Sequence, residues 1–158
     1  ETQKKISALL AKLEEKEPHI TQIWQETRNW SLEDFDQIYK WLGTEFDHVF
    51  YESEVDEEGK QLVIQGVKDG LFQKSDKAIG VDLIDEKLGF FLLLKSDGNT
   101  LYSTKDLALA KRKFEQFGIE RSIYVVGAEQ TLHFQQVFAT LKKMGYQQAS
   151  RCFHLPYA

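Results

Sequence analysis

Four polar side chains stand at the mouths of two helical stretches, where chemistry is most easily assembled. Tyr102 and Asp106 are spaced i, i+4 across the start of one stretch, and Gln130 and His133 are spaced i, i+3 at the start of the next. Such spacings bring side chains onto one helix face. An aspartate beside a phenol and an amide is a receptor for a cation. A planar guanidinium suits it best, because a carboxylate binds that group through two parallel hydrogen bonds. Plainer uses compete. Ser103 and Asp106 have the spacing of a capping box, which would employ the carboxylate at the helix N-terminus. Gln130 is equally an ordinary first-turn residue, and His133 a structural donor.

The elements that must position these groups lie between Gly89 and Gly145. Two continuous apolar runs, Gly89 to Lys95 and Ser122 to Gly127, alternate with two segments of helical period. The first segment places Leu107, Ala110, Phe114 and Phe117 on one stripe and stops at Gly118; the second places Phe134, Val137, Phe138 and Leu141 and stops at Gly145. This alternation predicts an α/β fold with a βαβα unit, a parallel sheet covered on both faces and right-handed crossovers. Ligands then bind outside the carboxyl ends of the strands, where the four polar residues stand. Gln148 to Leu155 reads as one more strand.

Upstream, the first 43 residues predict three short helices. One carries the stripe Ile6, Leu9, Leu10 and Leu13 and is closed by Pro18; the next carries Ile20, Ile23, Trp24 and Thr27. The third is opened by Ser31 and Asp34 at capping-box spacing, carries Phe35, Ile38, Tyr39 and Leu42, and ends at Gly43. A strand over Phe46–Ser53, an acidic turn at Asp56–Gly59, a helix from Lys60 to Lys68 broken by Asp69-Gly70, and a strand over Ala78–Ile84 follow.

Composition excludes several classes. With 158 residues, 42% apolar and 28% charged, the chain has material for one core plus an appendage and is not a disordered polymer. The net charge of −5 offers no global basic field for nucleic acid. Cys152 is the only cysteine, so no disulfide or thiolate cluster forms within the chain, and a reducing cytoplasm is the natural setting. It lies in an apolar strand candidate, as inert thiols do. No apolar run approaches a membrane span. The four histidines are scattered rather than set at metal-binding spacing, and neither usual glycine-rich phosphate cradle occurs. The start at Glu1 without an initiator Met, and the end in an apolar stretch, are expected of a piece of a longer protein.

Two longer motifs carry a resemblance. Leu101-Tyr102-Ser103-Thr104-Lys105-Asp106-Leu107-Ala108, followed by Tyr124-Val125-Val126-Gly127-Ala128-Glu129-Gln130-Thr131-Leu132-His133-Phe134, resembles the catalytic domain of the arginyl-tRNA synthetases. That family has a Tyr-x-Thr-Arg-Asp-x-Ala segment, then a strand and a Gln-x-x-His-Phe run. Trp30 to Asp36, Tyr39 to Gly43 and Phe46-Asp47 are similar to the region between the two halves of that domain. The resemblance spans roughly residues 24–158. It implies a connective, helical and mixed insertion over 1–88 and the C-terminal half of a Rossmann domain (βαβαβ) over 89–158. It further implies that Tyr102 and Asp106 contact the arginine guanidinium and that Gln130 holds the amino-acid end. His133 and His154 would lie on the nucleotide side, the latter with Tyr157 in a His-x-x-Tyr-Gly element. Lys105 stands where the family has Arg, and Ala158 where it has Gly.

The implied activity is that of an arginine–tRNA ligase: L-arginine is activated with ATP and Mg2+ and transferred to tRNA(Arg). The His-Ile-Gly-His and Lys-Met-Ser-Lys-Ser motifs that stabilise charge on the triphosphate do not occur in this sequence. The expectation is therefore a fragment that supplies part of the arginine pocket, holds no catalytic residue and no metal ligand, is inactive alone, and needs the remaining half of the catalytic domain. The rival readings are a non-catalytic amino-acid- or nucleotide-binding module related to a synthetase, and an interaction module built on the first 43 residues.

Overall fold

The segment from Pro18 to Leu42 contains no helix breaker after its first residue, and it folds as one long helix. The computed structural model describes residues 2–158, apart from the side chains of residues 3, 4, 7 and 14. They fall into two compact units, residues 2–49 and 50–158. The first holds α1 (Thr2–Glu14) and α2 (Pro18–Leu42). Pro18 takes the N1 position, where its missing N–H costs nothing. The Glu17 carboxylate accepts from the amides of Ile20 at 3.0 Å and His19 at 3.4 Å, and the bond to Ile20 holds that carboxyl below its usual range. Gly43 ends α2 in the left-handed conformation at φ +66°; its N–H donates to the Lys40 carbonyl at 3.2 Å and the Thr44 N–H to the Tyr39 carbonyl at 2.9 Å.

The helix boundary expected at Ser31 does not exist. The Ser31 hydroxyl donates to the Thr27 carbonyl at 3.2 Å from inside α2, so the capping-box spacing there marks no start. Two helices stand where three were expected. No described side chain of residues 2–49 is buried.

The second unit opens with α3 (Glu52–Lys68). The strand expected over Phe46–Ser53 is instead irregular chain leading into that helix, and the expected acidic turn at Asp56–Gly59 is its second turn. Glu52 and Glu54 lie in the first turn, where negative charge complements the helix dipole. Gly59 is there for contact rather than for turning. A Cβ at that position would stand 2.7 Å from the Thr104 backbone oxygen.

Three strands, β1 (Gln73–Ser75), β2 (Ala78–Leu83) and β3 (Gly89–Leu94), form an antiparallel sheet in that order. The apolar run from Gly89 therefore pairs with β2, with Val81 opposite Phe91, rather than lying beside the run at Ser122. The link from Ile84 to Leu88, with Lys87 at φ +61° and Gly89 at φ +71°, is far too short for a crossover to a parallel strand. The expected division between residues 88 and 89 falls within this hairpin, inside the second unit.

The parallel element lies further on. After α4 (Tyr102–Phe117), β4 (Ser122–Gly127) and β5 (Cys152–Tyr157) pair in parallel from Ser122↔Cys152 to Gly127↔Tyr157, connected through α5 (Thr131–Lys143). This βαβ unit makes the protein α/β. The strand expected from Gln148 begins later, at Cys152, because Gln147–Arg151 forms a 3-10 turn. Val63, Val81, Leu83, Leu93, Leu107, Val137 and Leu141 form a fully buried core between the antiparallel sheet and the helices. Phe117, expected on the buried stripe of α4, is half exposed and meets Phe50 edge-on at 5.8 Å.

Candidate functional site

The start of α4 is fixed to the sheet by hydroxyls. Ser103 Oγ donates to the Leu92 carbonyl at 2.7 Å, and Thr104 Oγ1 donates to the Leu93 carbonyl. Leu101 is the N-cap and forms no side-chain cap bond. The capping box of Ser103 and Asp106 is therefore not made, because Ser103 is inside the helix with its hydroxyl spent on β3. Asp106 is left for other work.

That work is visible in the geometry. Asp106 Oδ2 lies 2.6 Å from His133 Nε2. His133 is 8% exposed and Asp106 26% exposed. The Tyr102 ring packs on the imidazole with centroids 4.6 Å apart. The phenol, imidazole and carboxylate thus form one cluster, built from the first turns of α4 and α5. Tyr102, Lys105, Asp106 and Leu109 of α4 share an open hollow with Phe50, Tyr51, Glu52 and Val55 from the start of α3.

Charge in the hollow is unevenly matched. Lys105 Nζ lies 2.8 Å from Glu52 Oε2 and 3.7 Å from Asp56 Oδ1. Burial alone would lower the Lys105 ammonium, but the bond to Glu52 and the charges of Glu52 and Asp56 outweigh it and raise its pKa. Asp106, by contrast, ion-pairs with no lysine or arginine among the described residues; its neighbour is the imidazole. Glu52 is thus paired with a lysine, and Asp106 with an imidazole.

Gln130 does not join this cluster. It precedes α5, forms no cap bond, and is not part of the hollow's lining. His133, one turn further on, occupies the place beside Asp106 expected for the amide. His154 is held in the parallel sheet: its Nε2 donates to the Val126 carbonyl at 2.9 Å, and its ring lies 4.8 Å from that of Phe134. Cys152 is buried, and that burial pushes its thiol up, away from thiolate reactivity. Beside it, Lys113 donates to Ser122 at 2.8 Å and sits 3.8 Å over the Tyr124 ring. The contribution of α3 to the hollow was missed because Tyr51 and Glu52 read as the end of a strand.

The whole chain, residues 1–158, matches the model of the family described as tRNA synthetases class I (R), catalytic domain. It is similar to the arginine–tRNA ligase of Bdellovibrio bacteriovorus, 49% identical over 152 residues that make up 96% of this chain and 26% of that protein. It is 38% identical to the arginine–tRNA ligase of Phocaeicola vulgatus over 150 residues, 94% of this chain and 25% of that one. The chain spans about a quarter of the length of the curated relatives it matches. Among solved structures it superposes on the arginyl-tRNA synthetase of Plasmodium falciparum with a TM-score of 0.81 at 23% identity, covering 98% of this chain and 28% of that one. At that identity the likeness is one of fold.

Proposed function

We propose, from the premise that this chain belongs to the family of class I tRNA synthetases for arginine, that it is the part of an arginine–tRNA ligase that receives the arginine side chain. One observation carries the reading. Tyr102 and Asp106 line the same hollow one helical turn apart, and Asp106 neither caps the helix nor pairs with a lysine or arginine among the described residues. A guanidinium entering there donates to the carboxylate while the phenol borders it. Gln130, at the end of the neighbouring strand–helix turn, is the residue proposed to hold the amino-acid end. His154 is proposed for the nucleotide side.

The intact ligase would activate L-arginine with ATP in the cytoplasm and pass it to tRNA(Arg). Mg2+ is proposed to accompany the ATP phosphates in the intact ligase. Residues 1–88 are read as the connective insertion and 89–158 as the second half of the Rossmann domain. The first half is the proposed partner. Ile123, Val125, Phe153, Leu155 and Tyr157 form an exposed apolar face of the β4–β5 pair, and parallel strands are ordinarily covered on both faces.

The positioning groups here do not neutralise a triphosphate, so the chain alone is expected to give no arginine-dependent exchange of pyrophosphate into ATP. Steady exchange by the purified chain, free of host ligase, would contradict this division of labour.

A further inference from the structure

We propose that His133 is a positioning residue for arginine recognition, fixing the Asp106 carboxylate by a one-way hydrogen bond; this rests on the functional reading above. It starts from an unmet need. His133 Nδ1 is buried and has no hydrogen-bond partner among the described residues, whereas Nε2 is 2.6 Å from Asp106 Oδ2. Buried polar atoms are normally satisfied, so an orphan kept in a close-packed site calls for a reason.

Tautomer chemistry supplies one. A proton on Nε2 makes a donor to the carboxylate; moving it to Nδ1 would set a bare nitrogen lone pair against the carboxylate oxygen. With no acceptor at Nδ1 to hold the proton there, the ring is locked as an Nε2 donor. Its orientation is fixed by Tyr102 at 4.6 Å, Phe134 at 5.2 Å and Phe91 at 5.7 Å. Oδ2 is thereby anchored and Oδ1 is left to accept from a guanidinium.

The choice of imidazole also matters electrically. A lysine or arginine in this place would orient Asp106 equally well but cancel the charge that selects a cationic substrate. Lys105 does just that to Glu52 on the opposite wall of the hollow. Imidazole, unlike either, is not a permanent cation.

The test uses the intact ligase polypeptide that carries this segment, assayed by arginine-dependent pyrophosphate exchange. His133→Leu removes the donor and is expected to raise KM for arginine about 10- to 100-fold, the effect of losing a hydrogen bond to a charged group. KM for ATP should stay within about twofold, since uniform damage would move both. His133→Gln, whose amide can donate from a similar position, should recover most of the loss, with thermal unfolding confirming that both variants fold. Unchanged arginine KM in His133→Leu, parallel rises for arginine and ATP, or no recovery in His133→Gln would each overturn the proposal. Asp106→Asn, run alongside, separates the two levels: if it too leaves arginine KM unchanged, the pocket itself is misassigned.

Discussion

The two compact units differ in what holds them together. Residues 2–49 form two helices without a single buried side chain among those described, and Trp41 is 84% exposed. Residues 50–158 enclose a core in which Leu83, Leu93, Leu107 and Leu141 are inaccessible to solvent. Local signals suffice for the first: a proline start, a carboxylate cap and a left-handed glycine stop. The second needs contacts between distant segments, such as Thr104 with Leu93 and Arg112 with Glu58 at 2.8 Å. The second supplies the packed surroundings that a binding carboxylate needs, because preorganised polar groups need neighbours that do not yield. The candidate site lies there for that reason.

This contrast can be broken by matched truncations. Leu93→Ala, in the buried core, is expected to cost about 2–5 kcal/mol, read as a fall in the urea midpoint. Leu9→Ala, on the exposed stripe of α1, should stay within about 0.5 kcal/mol. Comparable losses at the two positions would show that the first unit has an interior after all.

A smaller effect sharpens the picture of the first unit. The Glu17 carboxyl is depressed by its bond to the Ile20 amide, so its support for α2 is full above its ordinary pKa near 4.5. That support is lost as the pH falls through the lower folded value. Acidification should fray the start of α2, followed by amide exchange of His19 and Ile20, and Glu17→Gln should remove that pH dependence. Exchange rates insensitive to pH in this range, after correction for intrinsic chemistry, would show the cap to be idle in solution.

Much of this was legible in the sequence. Leu107, Ala110 and Phe114 marked the buried face of α4, and Phe134, Val137 and Leu141 that of α5, because helical period and burial coincide there. The run at Gly89 was recognisable as a strand but not its partner, since apolar content does not distinguish a parallel neighbour from a hairpin. The lead-in to α3 reads as a strand because Phe46 to Ser53 is rich in strand-favouring side chains, while the helix is fixed by contacts to α4, 53 residues away. Within the site, Tyr102 and Asp106 were found from a spacing on one helix. The partner on the other helix was not, since spacing alone leaves open whether Gln130 or His133 turns toward α4.

Whether Asp106 receives the arginine guanidinium is decided by calorimetric titration of L-arginine into the chain. A saturable heat is expected from the natural sequence, and its loss in Asp106→Ala with the fold intact. Equal heats from the two proteins would contradict the account.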